Sequence, residues 1–408
     1  MANIHPFQAV HPEPNNVQKI ASLPYDVMSR SEAEEMAGNN DLNFLHVTRS
    51  EIDLPESVDP YDQQVYAKAK ENYQALKSSG ALQKDDTPAL YIYALTWQGH
   101  TQTGIVAAAS VDDYDNDVIK KHEKTRQAKE DDRTSHIVKT RAQTGPVFLT
   151  YRDRNSVDEL VRKATEEQPL FNFTAEDDVE HTVWKVSEDL TKRLVSEFDK
   201  IDNLYIADGH HRAASASRAR EEMAKTEGDD KNASYNRFLS VIFPAGQLQI
   251  LPYNRTVKDL NGYTSESFLD ALRDVMTVSK TDKTAPEKPL AFNMYLNGQW
   301  WQLSYEKSVE GLSVADRLDV AILQNNVLEP LLNITDPRTN DRIDFIGGIR
   351  GTKELEKLVD SGDAQVAFSM YPTTVEQLIE ISDAGEIMPP KSTWFEPKLR
   401  DGLFVHEI

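Results

Sequence analysis

The stretch Leu204-Tyr205-Ile206-Ala207-Asp208-Gly209-His210-His211-Arg212-Ala213-Ala214 leaves the chain few ways to fold around it. An apolar run of strand length meets a glycine. Ala216, Ala219 and Met223 then follow at helical spacing. The pattern predicts a strand, a sharp turn and a helix. Gly209 can take backbone angles that a side chain resists, so the chain can bend there and come close to a ligand. The first turn of the new helix offers unpaired N–H groups and a positive dipole end, both of which favour an anion. Arg212 adds a fork suited to phosphate. Asp208, at the strand end, is placed to cap the helix, hold a metal ion or orient a hydroxyl. The same residue types also make an ordinary Asp-Gly turn followed by surface histidines. His210 and His211 alone do not make a metal site, because adjacent side chains on a helix diverge.

The rest of the chain limits what this turn can serve. At 408 residues it has room for two or three domains with cores of their own. A formal net charge of −22 argues against binding duplex nucleic acid, which calls for a basic face. The chain has no cysteine, which excludes disulfides, thiolate metal sites, iron–sulfur clusters and thiol catalysis. No secretory signal pattern opens it, and no uncharged apolar run reaches the ~20 residues that span a bilayer. The expectation is a cytoplasmic protein with no membrane partner.

Along the chain, residues 43–48 read as a strand, 61–78 as a helix ended by Gly80, and 90–95 with 103–108 as a hairpin about Gln98-Gly99-His100. A strand ending in Lys121 would deliver His122 and Glu123 to a site. On the charged helix that follows, Arg126 and Lys129, or Lys129 and Arg133, share a face. The plain alternative there is a solvated helix laced with opposite charges. Further strands are expected at 146–151, 181–186, 237–243 and 250–257, the last carrying Arg255 at its end. Near residue 259 the texture changes to a compact α+β unit with a helix at 314–332. Residues 388–408 are too rigid and aromatic for a free tail. The expected division is therefore 1–258, 259–387, and a segment 388–408 that returns to the first domain.

Leu23–Val27, Lys120–Thr125, Ala207–Arg212, Leu251–Val257, Leu318–Ile334 and Met388–Leu403 together resemble a broadly distributed prokaryotic family long catalogued as of unknown function. Its Asp-Gly-His-His-Arg segment is similar to that of the free-serine kinases of the ParB/sulfiredoxin-like superfamily. In that superfamily a Gly-x-x-Arg turn holds nucleotide phosphates, matching Gly209 and Arg212. The resemblance implies a mixed α/β fold with a ParB-like nucleotide-binding domain and a second α+β domain. It implies a phosphotransferase that uses ATP or ADP with Mg²⁺ to phosphorylate a small hydroxylated metabolite, free L-serine first among them. Phosphoryl transfer calls for cations at the phosphates and a residue to deprotonate the acceptor. Lys121, His122, Arg126, Arg133, Gly209, His211 and Arg212 would bind phosphate or nucleotide. Asp208 would hold Mg²⁺ and take part in catalysis, and Glu123 would be the general base with His210 second. Tyr25, Asp26, Arg255, Lys391, Ser392 and Thr393 would line the substrate. No Gly-x-x-x-x-Gly-Lys-Ser/Thr or Gly-x-Gly-x-x-Gly loop offers another cradle. A phosphatase or nucleotide hydrolase with the same cradle, and a nucleotide sensor without turnover, are the competing readings. Neither the donor nor the oligomeric state is legible.

Overall fold

Long apolar runs separated by turn residues form the central sheet of the first unit. The computed structural model describes residues 1–408 and divides the chain into two units. Residues 1–248 and 397–408 make the first; residues 249–396 make the second. The first unit's sheet contains β1 (Tyr91–Trp97), β2 (His100–Ser110), β3 (Ile119–Lys120), β4 (Val147–Tyr151), β5 (Phe171–Thr174), β6 (Glu180–Lys185), β7 (Leu204–Asp208) and β8 (Arg237–Pro244). Their order across the sheet is β3-β7-β4-β8-β2-β1-β6-β5, and Ile4–His5 adds a short strand against β2. β1 and β2 form the expected hairpin, with Gln98 and Gly99 at φ 50° and 80° in the turn. The β3–β7 and β4–β8 pairs are parallel and the others antiparallel. This is a mixed α/β fold.

One apolar core joins Leu90, Ile92, Ile105, Leu149, Leu204, Ile206 and Ile242 to helix residues Leu160, Leu194 and Phe198. The helices that matter for the site are α1 (Gln63–Ser78), α2 (Gln127–Thr140) and α3 (His210–Glu227). α3 is rich in Ala, Arg, Glu and Lys, which favour a helix, and its small buried residues Ala213, Ala216 and Ala219 let it lie close to its neighbours. It packs along α2, where the Ser215 hydroxyl donates to the Glu130 carbonyl at 3.2 Å.

The last residues of the chain complete this unit. Val405 pairs with Val10, and His406–Glu407 pairs with Ala142–Gln143. Asp401 exchanges both backbone hydrogen bonds with Ser22, at 3.1 and 2.9 Å. Gly402, at φ 84°, then turns the chain where a Cβ would stand 2.7 Å from the Phe44 ring.

The second unit is an α+β layer. Its six-stranded sheet runs Thr277–Lys280, Gln299–Ser304, Ala291–Leu296, Val366–Ser369, Tyr253–Val257, Ile343–Gly347. Its two ends meet in a separate ladder, Gln249–Leu251 against Trp394–Glu396.

Several expectations change. The unit boundary falls at 248/249 rather than 258/259, because Tyr253–Val257 hydrogen-bonds into the second sheet. Pro252 splits the strand expected at 250–257 into two. Of the segment 388–408, residues 388–396 belong to the second unit and 397–408 to the first. Residues 45–48 are a helical turn, not a strand: the Asn43 side chain accepts from Leu45 N at 3.0 Å and turns the chain. The helix expected at 314–332 shortens to Asp319–Leu323 followed by a π turn at Gln324–Leu328.

Candidate functional site

Parallel pairing of β3 with β7 brings two loops to one sheet edge. Ile119 is opposite Leu204 and Lys120 opposite Tyr205, so both strands end side by side. Carboxyl ends of parallel strands are where α/β sheets open their crevices. Here the loop after β3 clasps the first turn of α3. The His122 backbone N–H donates to His210 Nε2 at 3.4 Å, and the rings meet edge to face with centroids 4.4 Å apart. The Arg126 backbone N–H, at the start of α2, donates to His211 Nε2 at 3.0 Å.

These bonds fix protonation. Burial holds His210 well below the ordinary imidazole range, helped by His122, and lowers His211, helped by Arg126. Burial lowers His122 to about 4. Since His210 accepts at Nε2, its single proton sits on Nδ1. That atom faces Glu123 Oε2 at 3.8 Å. His210 is 4% exposed and the Glu123 side chain 48% exposed, so a buried neutral imidazole backs a carboxylate at the surface.

Gly209 makes the turn. Its φ of 93° is left-handed, and an added Cβ would lie 3.1 Å from Arg212 Nε. No side chain caps α3, and its first backbone bond runs from Ala213 N to Gly209 O at 3.1 Å. The amides of His210, His211 and Arg212 thus stand ahead of the helix's own bonding. The Gly209 amide is taken by Asp208 Oδ1 at 2.9 Å.

Behind the turn lies a cluster of buried charge. Arg212 donates to the Pro146 carbonyl. Its Nη2 lies 3.6 Å from Asp26 Oδ2 and 3.7 Å from Asp208 Oδ2. Lys398 Nζ lies 3.5 Å from the same Asp208 oxygen. Burial would raise the Asp208 carboxyl, but Lys398 and then Arg212 outweigh it and hold the group well below the usual range. Asp401, 1% exposed, is the third carboxylate facing Arg212. Lys398 and Asp401 escaped the sequence reading, which stopped at Lys391–Thr393. The signals for them were the stiffness of the segment and the place of Met388–Leu403 in the family resemblance.

The other expected site residues divide. Tyr25 and Asp26 lie at the Arg212 cluster, and Tyr25 is kept protonated by burial, with Asp26 adding to the effect. Arg133 is near but occupied: it pairs with Asp132 at 2.9 Å and stacks on the Tyr25 ring at 4.2 Å. Lys121 is anchored to Asp117 at 2.8 Å and lies over the Tyr114 ring at 4.3 Å, so its ammonium serves the loop rather than Asp208. Arg126 contributes its backbone amide to His211. Arg255, Lys391, Ser392 and Thr393 belong to the second unit. There the buried Arg255 donates to the carbonyls of Tyr253 and Lys391, and the Ser392 hydroxyl donates to Pro389 O at 2.6 Å. Arg255 and Ser392 thereby hold the local fold. No trio of His, Asp or Glu side chains gathers to hold a metal ion. Asp208 also spends one oxygen on an amide and turns the other to two cations. The residues present do not fit the Mg²⁺ expected there.

The family profile described as protein of unknown function DUF1015 matches residues 4–321. The chain belongs to this family. No curated protein matches it by sequence. Solved structures similar to this DUF1015 chain include a free serine kinase in complex with AMP. It is 14% identical, with 72% of this chain and 86% of that one covered, at a TM-score of 0.34. Another is SbnI with a C-terminal truncation from Staphylococcus aureus, 14% identical, covering 72% and 85%, with a TM-score of 0.39. A conserved hypothetical protein from Pyrococcus furiosus is 14% identical over 73% and 93%, with a TM-score of 0.35. Superpositions this loose bear no weight on function. No helix of the chain is long and apolar enough to cross a membrane.

Proposed function

We propose that this DUF1015 chain is a nucleotide-dependent phosphotransferase acting on a small hydroxylated metabolite, with ATP or ADP as donor and free L-serine as the first acceptor to test. One observation carries the reading. The uncapped amino terminus of α3 opens beside a carboxylate, Glu123, that is backed by the neutral imidazole of His210. A terminal phosphate bound by the amides of His210, His211 and Arg212 would meet the positive end of the helix. Arg212 and Lys398 lie behind it, already facing the carboxylates of Asp26 and Asp208, so the helix end itself supplies the positive field. An acceptor hydroxyl placed between that phosphate and Glu123 gives its proton to the carboxylate. The hydroxyl oxygen then bonds to phosphorus, and the bond from phosphorus to the leaving phosphate oxygen breaks. No metal step enters, since Asp208 is already engaged.

The test separates binding from turnover. Glu123→Gln should leave nucleotide affinity unchanged by calorimetry and lower turnover by ~10²–10⁴-fold. The assay incubates the protein with ATP, ADP or CTP and Mg²⁺, with and without serine. Nucleotide loss that needs serine supports the kinase, and phosphate release without serine makes it a hydrolase. Binding without turnover makes it a sensor.

A further inference from the structure

Beside Arg212, in the first unit, lies a cleft of mixed walls, apolar at Ile137, Val147, Phe238 and Leu239, that the phosphate cradle does not use. Tyr25, Arg133, Thr144, Gly145, Arg212 and Asp401 are among its walls. Its empty space, mouth included, is about 420 Å³, and the interior free for whole water-sized groups is about 30 Å³. That suits a group of a few heavy atoms and excludes a nucleotide. Neither oxygen of the Asp401 carboxylate meets a hydrogen-bond partner at ordinary geometry, although the Tyr25 amide lies toward it. Arg212 Nε and Nη2 are likewise buried and without a hydrogen bond. Buried charge left in this state costs stability unless something completes it.

The charge balance says what is missing. Asp26, Asp208 and Asp401 face Arg212, Lys398 adds one cation at Asp208, and Arg133 is matched by Asp132. The cluster therefore lacks a positive charge beside Asp401. We propose that this cleft seats the protonated amine of a small substrate, with the Asp401 carboxylate as its counter-ion. As the seat of the acceptor this rests on the phosphotransfer reading; as a binding site it does not. Backbone bonds to Ser22 fix the Asp401 main chain, and Gly145 leaves room for its carboxylate: a Cβ there would stand 2.8 Å from Oδ1. Burial, with Asp26 adding to it, raises this carboxyl to about 7, which agrees with an absent counter-charge. Asp401 lies beyond the residues that the family profile matches, so the profile does not assign it.

The experiment uses the full chain without nucleotide and reads binding by calorimetry and thermal melting. L-Serine carries amine, hydroxyl and carboxylate; ethanolamine lacks the carboxylate; D-glycerate lacks the amine. Serine and ethanolamine should bind and D-glycerate should not. Asp401→Asn, nearly isosteric, should weaken both by roughly 10- to 100-fold, the loss of a hydrogen bond to a charged group. Equal binding of D-glycerate, no binding of either amine, or unchanged affinity in Asp401→Asn would overturn the proposal. So would potassium chloride raising the melting temperature as much as ethanolamine does, with the effect lost in Asp401→Asn. The wild-type comparison of amine with non-amine stands even if the variant fails to fold. Amine binding without nucleotide turnover would support this site and sink the kinase. Turnover with D-glycerate but not serine would do the reverse.

Discussion

Arg212 shows how burial changes the meaning of a motif residue. The sequence presents it as a fork for phosphate. In the fold its side chain is 8% exposed and ringed by Asp26, Asp208 and Asp401. Arg212→Ala would leave those carboxylates without their shared cation. It should cost ~3–5 kcal/mol in urea unfolding, toward the lower end because Asp26 and Asp208 are 39% and 35% exposed. Stability unchanged in Arg212→Ala would mean that the cluster is not held by this residue. The same change is therefore a poor test of phosphate binding, since folding and binding fall together. Asp401 yields a pH prediction. Burial and Asp26 raise its carboxyl to about 7, against Arg212, the Tyr25 amide and Arg133. A raised acid binds more protons folded than unfolded, so its cost grows as pH climbs from the unfolded value toward 7 and stays above it. Asp401→Asn should thus raise the melting temperature of the ligand-free protein at pH 8 and leave it nearly unchanged at pH 4. An equal shift at both pH values would show that Asp401 does not titrate in this range.

At the scale of elements, the strand–turn–helix unit is where local rules agree with one another. An apolar strand, a glycine at φ 93° and an alanine-rich helix each favour the observed conformation. Gly209→Ala should cost roughly 1–2 kcal/mol for the left-handed backbone alone. It should also displace the Arg212 guanidinium, which nuclear magnetic resonance of the arginine side chain would detect; an unmoved signal would count against the close packing of the turn. The partner loop was readable as residue types but not as contacts. Lys121, His122 and Glu123 stood out as a charged cluster, and only the parallel register of β3 on β7 sets His122 and Glu123 against His210. Lys121 points to Asp117 and Tyr114 instead, which no spacing rule announces.

For the whole molecule, the last residues belong to the first unit's structure. Leu403, Phe404 and Val405 are 0–2% exposed, and Phe404 packs on Tyr91 with centroids 5.1 Å apart. Ending the chain at Glu396 would remove apolar burial of about 5–9 kcal/mol, at ~1.5–3 per side chain, which is comparable to a domain's entire stability. Such a protein should be insoluble or unfolded by circular dichroism and should lose both Lys398 and Asp401 from the site. Residues 249–396, in contrast, begin and end in one ladder, Gln249 opposite Glu396. Expressed alone they should melt cooperatively; a broad, uncooperative melt would show that they are not a folding unit.

By itself the sequence determined the strand–turn–helix at Gly209, the alternation of apolar runs that makes a mixed α/β fold, and the absence of thiol chemistry. These are local or compositional properties, carried by neighbours in the chain. Tertiary structure alone decided which charges meet. Asp26, the Asp208–Arg212 turn and the Lys398–Asp401 stretch come from three distant parts of the sequence, and no local pattern marks that they meet. Arg255 looked equally suited to a site, yet it ends in the second unit with its guanidinium donating to the carbonyls of Tyr253 and Lys391. The difference is burial: it turns a charged side chain into a bonded part of the frame or into one that awaits a ligand, and only the folded chain fixes which.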